Sequence, residues 1–239
     1  MLIVVLNQSS LVTNTDAYEM TLAVNRQIRT DVAPAWGLIP PSVTYLPSDP
    51  KIAGSAVIGI FDDADQAGDL GWHTEVTGDV VYGRVFAQPV LANAGGILAG
   101  ALSIASVLSH EVCETALDSA CDLWADAGAG TAYARELCDP VESDSYEITV
   151  GTGVNAITAT VSNFVTPAWF DPNASGGEEF DYMKLLTSPF QVRSTGYVVT
   201  ETEGSVSQTF GREYPEWRRA TKNYPLARTA RRLKQGTRH

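Results

Sequence analysis

The chain has 239 residues and a formal net charge of −12, with 44% hydrophobic and 18% charged side chains. That balance excludes a disordered chain and is enough to bury a sizeable core, in one large domain or two small ones. No run of about 18 apolar residues occurs, so neither a membrane span nor a membrane partner is expected.

Leu2–Leu6 opens the chain as a β-rich run without a preceding basic region, so it reads as a first strand and not as a signal peptide. Asp16 is expected to cap a helix reaching about Asp31, with Ala17, Met20, Val24 and Ile28 on its apolar stripe and Pro34 ending it. Val43–Leu46, Ala56–Phe61 and Thr77–Phe86 read as strands. Gly95-Gly96 breaks the chain before a long helix over Ile97–Asp118. Asp118–Gly130 reads as loop, Tyr133–Leu137 as a short helix, and Tyr146–Val150 with Asn155–Val165 as a strand pair. Tyr182–Leu186 reads as one helical turn, and Gly196–Thr202 with Val206–Phe210 as a hairpin. The expected fold class is α+β: a mixed β-sheet with the long helix packed on one face, and a second, smaller β-containing lobe. We expect one domain over residues 1–211, with lobes of about 1–118 and 119–211.

Residues 212–239 form a basic C-terminal arm, expected to be extended. It carries nine Lys/Arg against Glu213 and Glu216, a net +7 that leaves −19 on the rest of the chain. With Tyr214, Trp217 and Tyr224 beside its arginines, the arm suits docking on an acidic protein surface, its own or a neighbour's. The acidic body argues against nucleic acid as a partner, which needs a broad positive face.

The long helix delivers His110-Glu111-Val112-Cys113-Glu114. Positions i and i+4 lie about 40° apart and about 6 Å along a helix axis, so His110 and Glu114 project together and could grip one metal ion. Glu111 beside them could hold or deprotonate a metal-bound water. Such a His-Glu-x-x-Glu run arises by chance in about one chain in a hundred of this composition.

A third ligand must come from elsewhere, and Glu136-Leu137-Cys138-Asp139-Pro140-Val141-Glu142 offers three carboxylates. The order of expectation is Glu142, then Glu136, then Asp139, the first because Pro140 would break a helix through the segment. One His with two carboxylates is a harder site than two His with one. It favours zinc less strongly and admits Mn²⁺ or Ca²⁺. Cys113, Cys121 and Cys138 lack the CxxC spacing of a thiolate site, and Cys113 is turned away from the ligand positions. The stretch Asp62–Asp69 lacks the spacing of a calcium loop and reads as a polar strand end. His73 is the remaining interior histidine, a candidate to line the cleft or complete the site. Tyr197, with Tyr146, Tyr182 and His73, is a candidate donor to a developing oxyanion.

Three stretches, Asp62–His73 (DDADQAGDLGWH), Leu108–Asp118 (LSHEVCETALD) and Glu136–Glu142 (ELCDPVE), resemble a largely uncharacterised family of zincin-like metallopeptidases from bacterial and tailed-bacteriophage genomes. Val161–Phe170 (VSNFVTPAWF), Pro189-Phe190 and Gly196-Tyr197 look similar too. The resemblance implies a zincin-type fold, in which the edge strand of a mixed sheet guards a cleft above the motif helix. It carries His110, Glu111 and Glu114 onto the metal and base positions. The chain departs from ordinary zincins at Glu114, where His is usual, and lacks the extended HExxHxxGxxH pattern. The leading expectation is a metal-dependent hydrolase, zinc peptidase-like, in which Glu111 takes the proton of the attacking water. Its substrate would be a peptide or protein. The alternative is a virion structural or docking protein that keeps the fold with weak or no turnover.

Overall fold

The computed structural model describes residues 1–219 except 50, 53, 66, 67 and 77–79. The remainder of the basic arm, residues 220–239 with Tyr224, lies outside the described residues, as do the first three positions of the expected Thr77–Phe86 strand.

Strand β1 (Leu2–Asn7) leads into helix α1 (Asn14–Gln27). The cap of α1 is Thr13, not Asp16: Thr13 Oγ1 accepts the Asp16 N–H and the Asp16 carboxylate closes a capping box. Pro34 does not end the helical run. A π-helical turn over Ile28–Val32 widens it, and a short helix α2 (Ala33–Trp36) follows, with the proline in its first turn, where a missing N–H costs nothing. Gly37, at φ +63, terminates it.

Strands β2 (Ser42–Tyr45), β3 (Ser55–Phe61), β4 (Gly71–Val76) and β5 (Val80–Phe86) join β1 in a five-stranded sheet of order β2-β1-β3-β5-β4. Its first four strands are parallel, and β4 pairs antiparallel with β5 at one edge. The sheet is therefore mixed. Ile3, Val5, Ile58, Ile60 and Val85 belong to the main core beneath the helices, while Val4, Leu6 and Val57 alternate to a smaller cluster on the other face.

After a short helix α3 (Ala87–Ala92) comes α4 (Ile104–Leu117), which starts later than the apolar pattern suggests. Ser103 and Ser106 form a capping box that fixes its start, while Gly96 bridges to Ser103 as irregular chain. Ile104, Leu108 and Val112 of α4 are fully buried, each such side chain contributing about 1.5–3 kcal/mol. The helix packs on β3, β4 and β5, on α1, and on a ribbon of β8 (Ser145–Val150) and β9 (Ile157–Ser162).

The segment expected to be loop and helix is instead a hairpin, β6 (Trp124–Gly128) with β7 (Thr131–Ala134). Tertiary pairing overrides the helix propensity of its alanines. Here β7 joins β10 (Tyr197–Thr202), which pairs with β11 (Ser205–Phe210), making a second, four-stranded antiparallel sheet. Residues 182–186 form a turn without a helix, because Asp181 Oδ2 accepts the Leu185 and Leu186 N–H groups. The described start of the arm is not extended either. Tyr214 is buried, and α5 (Glu216–Arg219) makes one helical turn against the body. No helix among the described residues is long and apolar enough to cross a membrane.

Candidate metal centre

Three elements converge on a cleft of about 160 Å³. Helix α4 supplies His110, Glu111 and Glu114; the edge strand β4 supplies Gly71; the segment before and through the 3₁₀ turn Asp139–Val141 supplies Glu136, Asp139 and, just after it, Glu142. His73, expected as a candidate to line the cleft, does not line it: its side chain is buried against Glu111. The segment is pinned from three sides. Cys138 N–H donates to Glu114 Oε1 at 3.2 Å, Val165 N–H to Leu137 O at 2.7 Å, and Arg193 N–H to Pro140 O at 2.9 Å. Gly196 lets the chain before β10 lie against it: a Cβ there would stand 2.3 Å from Pro140 O.

His110 Nε2 lies 3.2 Å from Glu114 Oε1 and 3.2 Å from Asp139 Oδ1. Two ligands of a tetrahedral ion with bonds of about 2.0–2.1 Å stand about 3.3–3.4 Å apart, so both separations match edges of such a site. Asp139 Oδ1 is buried and accepts no aligned hydrogen bond, although it faces an imidazole nitrogen. A cation fits that donor pattern. The i,i+4 pairing of His110 and Glu114 is as the helix geometry requires.

All three candidate third ligands line the cleft, but with different partners. Asp139, placed last, faces His110, whereas Glu142, placed first, pairs with Arg218 in a contact with 7% and 8% side-chain exposure. Asp139 opens and Glu142 follows the 3₁₀ turn that holds Pro140, which spaces them along one cleft wall beside Tyr197. The Glu136 carboxylate groups with His73 and Cys121, their donor atoms lying within 4.8 Å of one another. Cys138 Sγ groups similarly with His110 and Glu114. Burial, with Cys113 and Glu114 nearby, pushes the Cys138 thiol well above its ordinary pKa, so it stays protonated and is a weaker donor than Asp139.

His73 is fully buried, with Nδ1 3.2 Å from Glu111 Oε2 and 3.8 Å from Glu114 Oε2. Burial opposes the charged form of both histidines, yet each is held well above the usual histidine pKa: His110 by Glu114 first, with Asp139 and Glu111 behind it, and His73 by Cys121 and Glu111. Tyr197 lines the cleft, and burial beside Asp139 and Glu142 keeps its phenol protonated far above the ordinary range. Tyr146 instead donates to Asp31 at 2.7 Å, and Tyr182 stacks on Phe164 at 5.1 Å; neither lines the cleft.

Asp118 closes the end of α4 by accepting Asp122 and Leu123 N–H groups. In the acidic stretch, Asp62 engages Ser9 and Ser10, and Asp65 engages Arg84 and Trp72, so their carboxylates tie elements together instead of converging on an ion. Sequence reasoning missed Gly71 and Arg218. Gly71 had no signal beyond its place before Trp72-His73; Arg218 had one, a basic side chain flanked by aromatics.

Comparison of the chain with protein-family models, with curated proteins and with solved structures gives no match.

Proposed function

We propose that the chain is a metal-dependent hydrolase of the zinc peptidase type, with a zincin-like arrangement of an antiparallel edge strand over the metal-site helix. The observation that carries this reading is the pair of 3.2 Å separations from His110 Nε2 to Glu114 Oε1 and Asp139 Oδ1 at one cleft. These three side chains would hold the cation. Zinc fits the separations, and the two carboxylates also admit Mn²⁺ or Ca²⁺. A divalent cation bound there would polarise a scissile carbonyl and lower the pKa of a water beside it.

The chain's own groups do the rest. Glu111 accepts a proton from the attacking water and returns it to the leaving amine. The His73 Nδ1–H donates to Glu111 Oε2 and orients that carboxylate. Strand β4 lies at the sheet edge, where an extended peptide could add as a further strand alongside the cleft. The protonated Tyr197 phenol lines the same cleft and can donate to a developing oxyanion.

A second reading, a virion structural or docking protein with little turnover, is favoured by one observation. Tyr214 and Arg218 fold back onto the body, and Arg218 forms part of the cleft wall. Metal analysis and peptide hydrolysis separate the two. The enzyme reading expects one tight equivalent of zinc that Glu114→Ala loses, and a Glu111→Gln variant that keeps this zinc but not hydrolysis. Equal hydrolysis by wild type and Glu111→Gln would remove Glu111 from the chemistry, and tight zinc without hydrolysis in either favours the structural role.

A further inference from the structure

Glu114 presents its two oxygens to different partners. Oε1 faces His110 Nε2 at 3.2 Å and accepts the Cys138 N–H, while Oε2 faces His73 Nδ1 at 3.8 Å. On that second side Glu111 Oε2 stands 3.2 Å from the same His73 nitrogen, and the donor atoms of His73, Glu111 and Glu114 all lie within 4.8 Å of one another. Two carboxylates therefore converge on one imidazole nitrogen. A single N–H points at one acceptor: it reaches Glu111 and leaves Glu114 Oε2 beyond hydrogen-bond range. All three side chains are almost fully buried, at 0%, 7% and 5% exposure, so water has little access to the pair of carboxylates.

We propose that the chain binds a second divalent cation between His73 Nδ1, Glu111 Oε2 and Glu114 Oε2, with Glu114 bridging it to the first. The 3.2 Å separation is a tetrahedral edge for bonds of about 2.0–2.2 Å, and the 3.8 Å separation is that edge slightly opened. A carboxylate bridge sets two ions about 3.5–4 Å apart, the usual spacing of paired metal sites. One imidazole and two carboxylates suit Zn²⁺ or Mn²⁺. Cys121 Sγ donates to the His73 backbone carbonyl at 3.4 Å, and Cys121 Sγ and a Glu136 oxygen lie within 4.8 Å of one of the ring nitrogens.

Occupation of this second position has a functional consequence that rests on the hydrolase reading. Glu111 cannot ligate a cation and accept a proton at once, so excess metal withholds the base. The second site thus works as a brake read by metal concentration, with the first cation bound more tightly because it does not have to displace the Glu111–His73 hydrogen bond.

Zinc stoichiometry of the full chain, by equilibrium dialysis with elemental analysis, tests this without any activity. Wild type is expected to bind two equivalents, one tight and one at least tenfold weaker. Glu111→Gln, nearly isosteric, and His73→Gln should each lose the weaker equivalent and keep the tight one. Circular dichroism confirms folding, and the Glu111 variant carries the test if the buried His73 variant fails to fold. A wild type that binds one equivalent, kept by Glu111→Gln and lost by His110→Gln, overturns the second site and leaves the hydrolase site standing. A wild type that binds no zinc overturns both.

Discussion

The two sides of the cleft are built differently. One is a platform: the five-stranded sheet with α4 laid across it, carrying His110, Glu111 and Glu114 on the helix and Gly71 on the antiparallel edge strand β4. The other is assembled from short pieces, a 3₁₀ turn bearing Asp139, the start of β10 with Tyr197 and the one-turn α5 with Arg218, joined by single hydrogen bonds and one ion pair. A metal needs its ligands fixed to within a few tenths of an ångström, and a rigid face with a closing one achieves that if the closing side is itself anchored. By this comparison the Arg218–Glu142 pair anchors the closing side and Asp139 is the proposed ligand, although Asp139 and Glu142 lie in one acidic run.

The sharpest way to break that division is Glu142→Gln. It leaves the buried Arg218 guanidinium without its carboxylate, which should cost about 3–5 kcal/mol of stability, visible as a large drop in Tm, while zinc binding to the folded protein stays within about twofold. Loss of the tight zinc at full stability would reverse the roles of the two carboxylates. Next in size, Asp139→Asn should weaken zinc about 10- to 100-fold, about 1.4–2.7 kcal/mol, with little change in Tm of the metal-free chain, as read by competition with a chromogenic chelator. On the platform side, Gly71→Ala places a Cβ 2.7 Å from Glu111 Oε1 and 2.9 Å from Arg84 O. The carboxylate must move, so hydrolysis should fall about tenfold with the tight zinc retained, a split between activity and metal content that a global packing defect would not give.

The smallest effect concerns the loop after β1, which Asp62 holds at the end of β3. Hydrogen bonds from the Ser10 and Ser9 side chains hold the Asp62 carboxyl below the ordinary aspartate pKa of about 3.9. A lowered folded-state pKa adds stability above the unfolded value that is lost as pH falls through the folded one. The Ser10 and Leu11 amides, which donate to Asp62, should therefore lose hydrogen-exchange protection below about pH 3.8 before β1 does. Unchanged protection there would show that the serines, not the charge, hold the loop.

What the sequence carried was local. The helical spacing of His110 and Glu114 needed only α-helix geometry, and the apolar runs of β1 and β3 marked strands. Other features depended on distant partners. Gly71–Val76 has too little apolar alternation to read as a strand, because an edge strand gains its hydrogen bonds from β5 on one side only. The alanines of Thr131–Ala134 favour helix until β10 pairs with them. Asp139 and Glu142 are chemically alike in sequence; what sets them apart is Arg218, which pairs with Glu142 from 76 residues further along. Spacing within a motif was therefore legible, and selection among equivalent donors was not.

Anomalous diffraction at the zinc absorption edge, from crystals of the full chain grown with zinc, tests the central assignment most directly. The account predicts that the strongest peak lies about 2.0–2.2 Å from His110 Nε2, Glu114 Oε1 and Asp139 Oδ1 together. A strongest peak that does not touch His110, or one coordinated by Glu142 in place of Asp139, would contradict it.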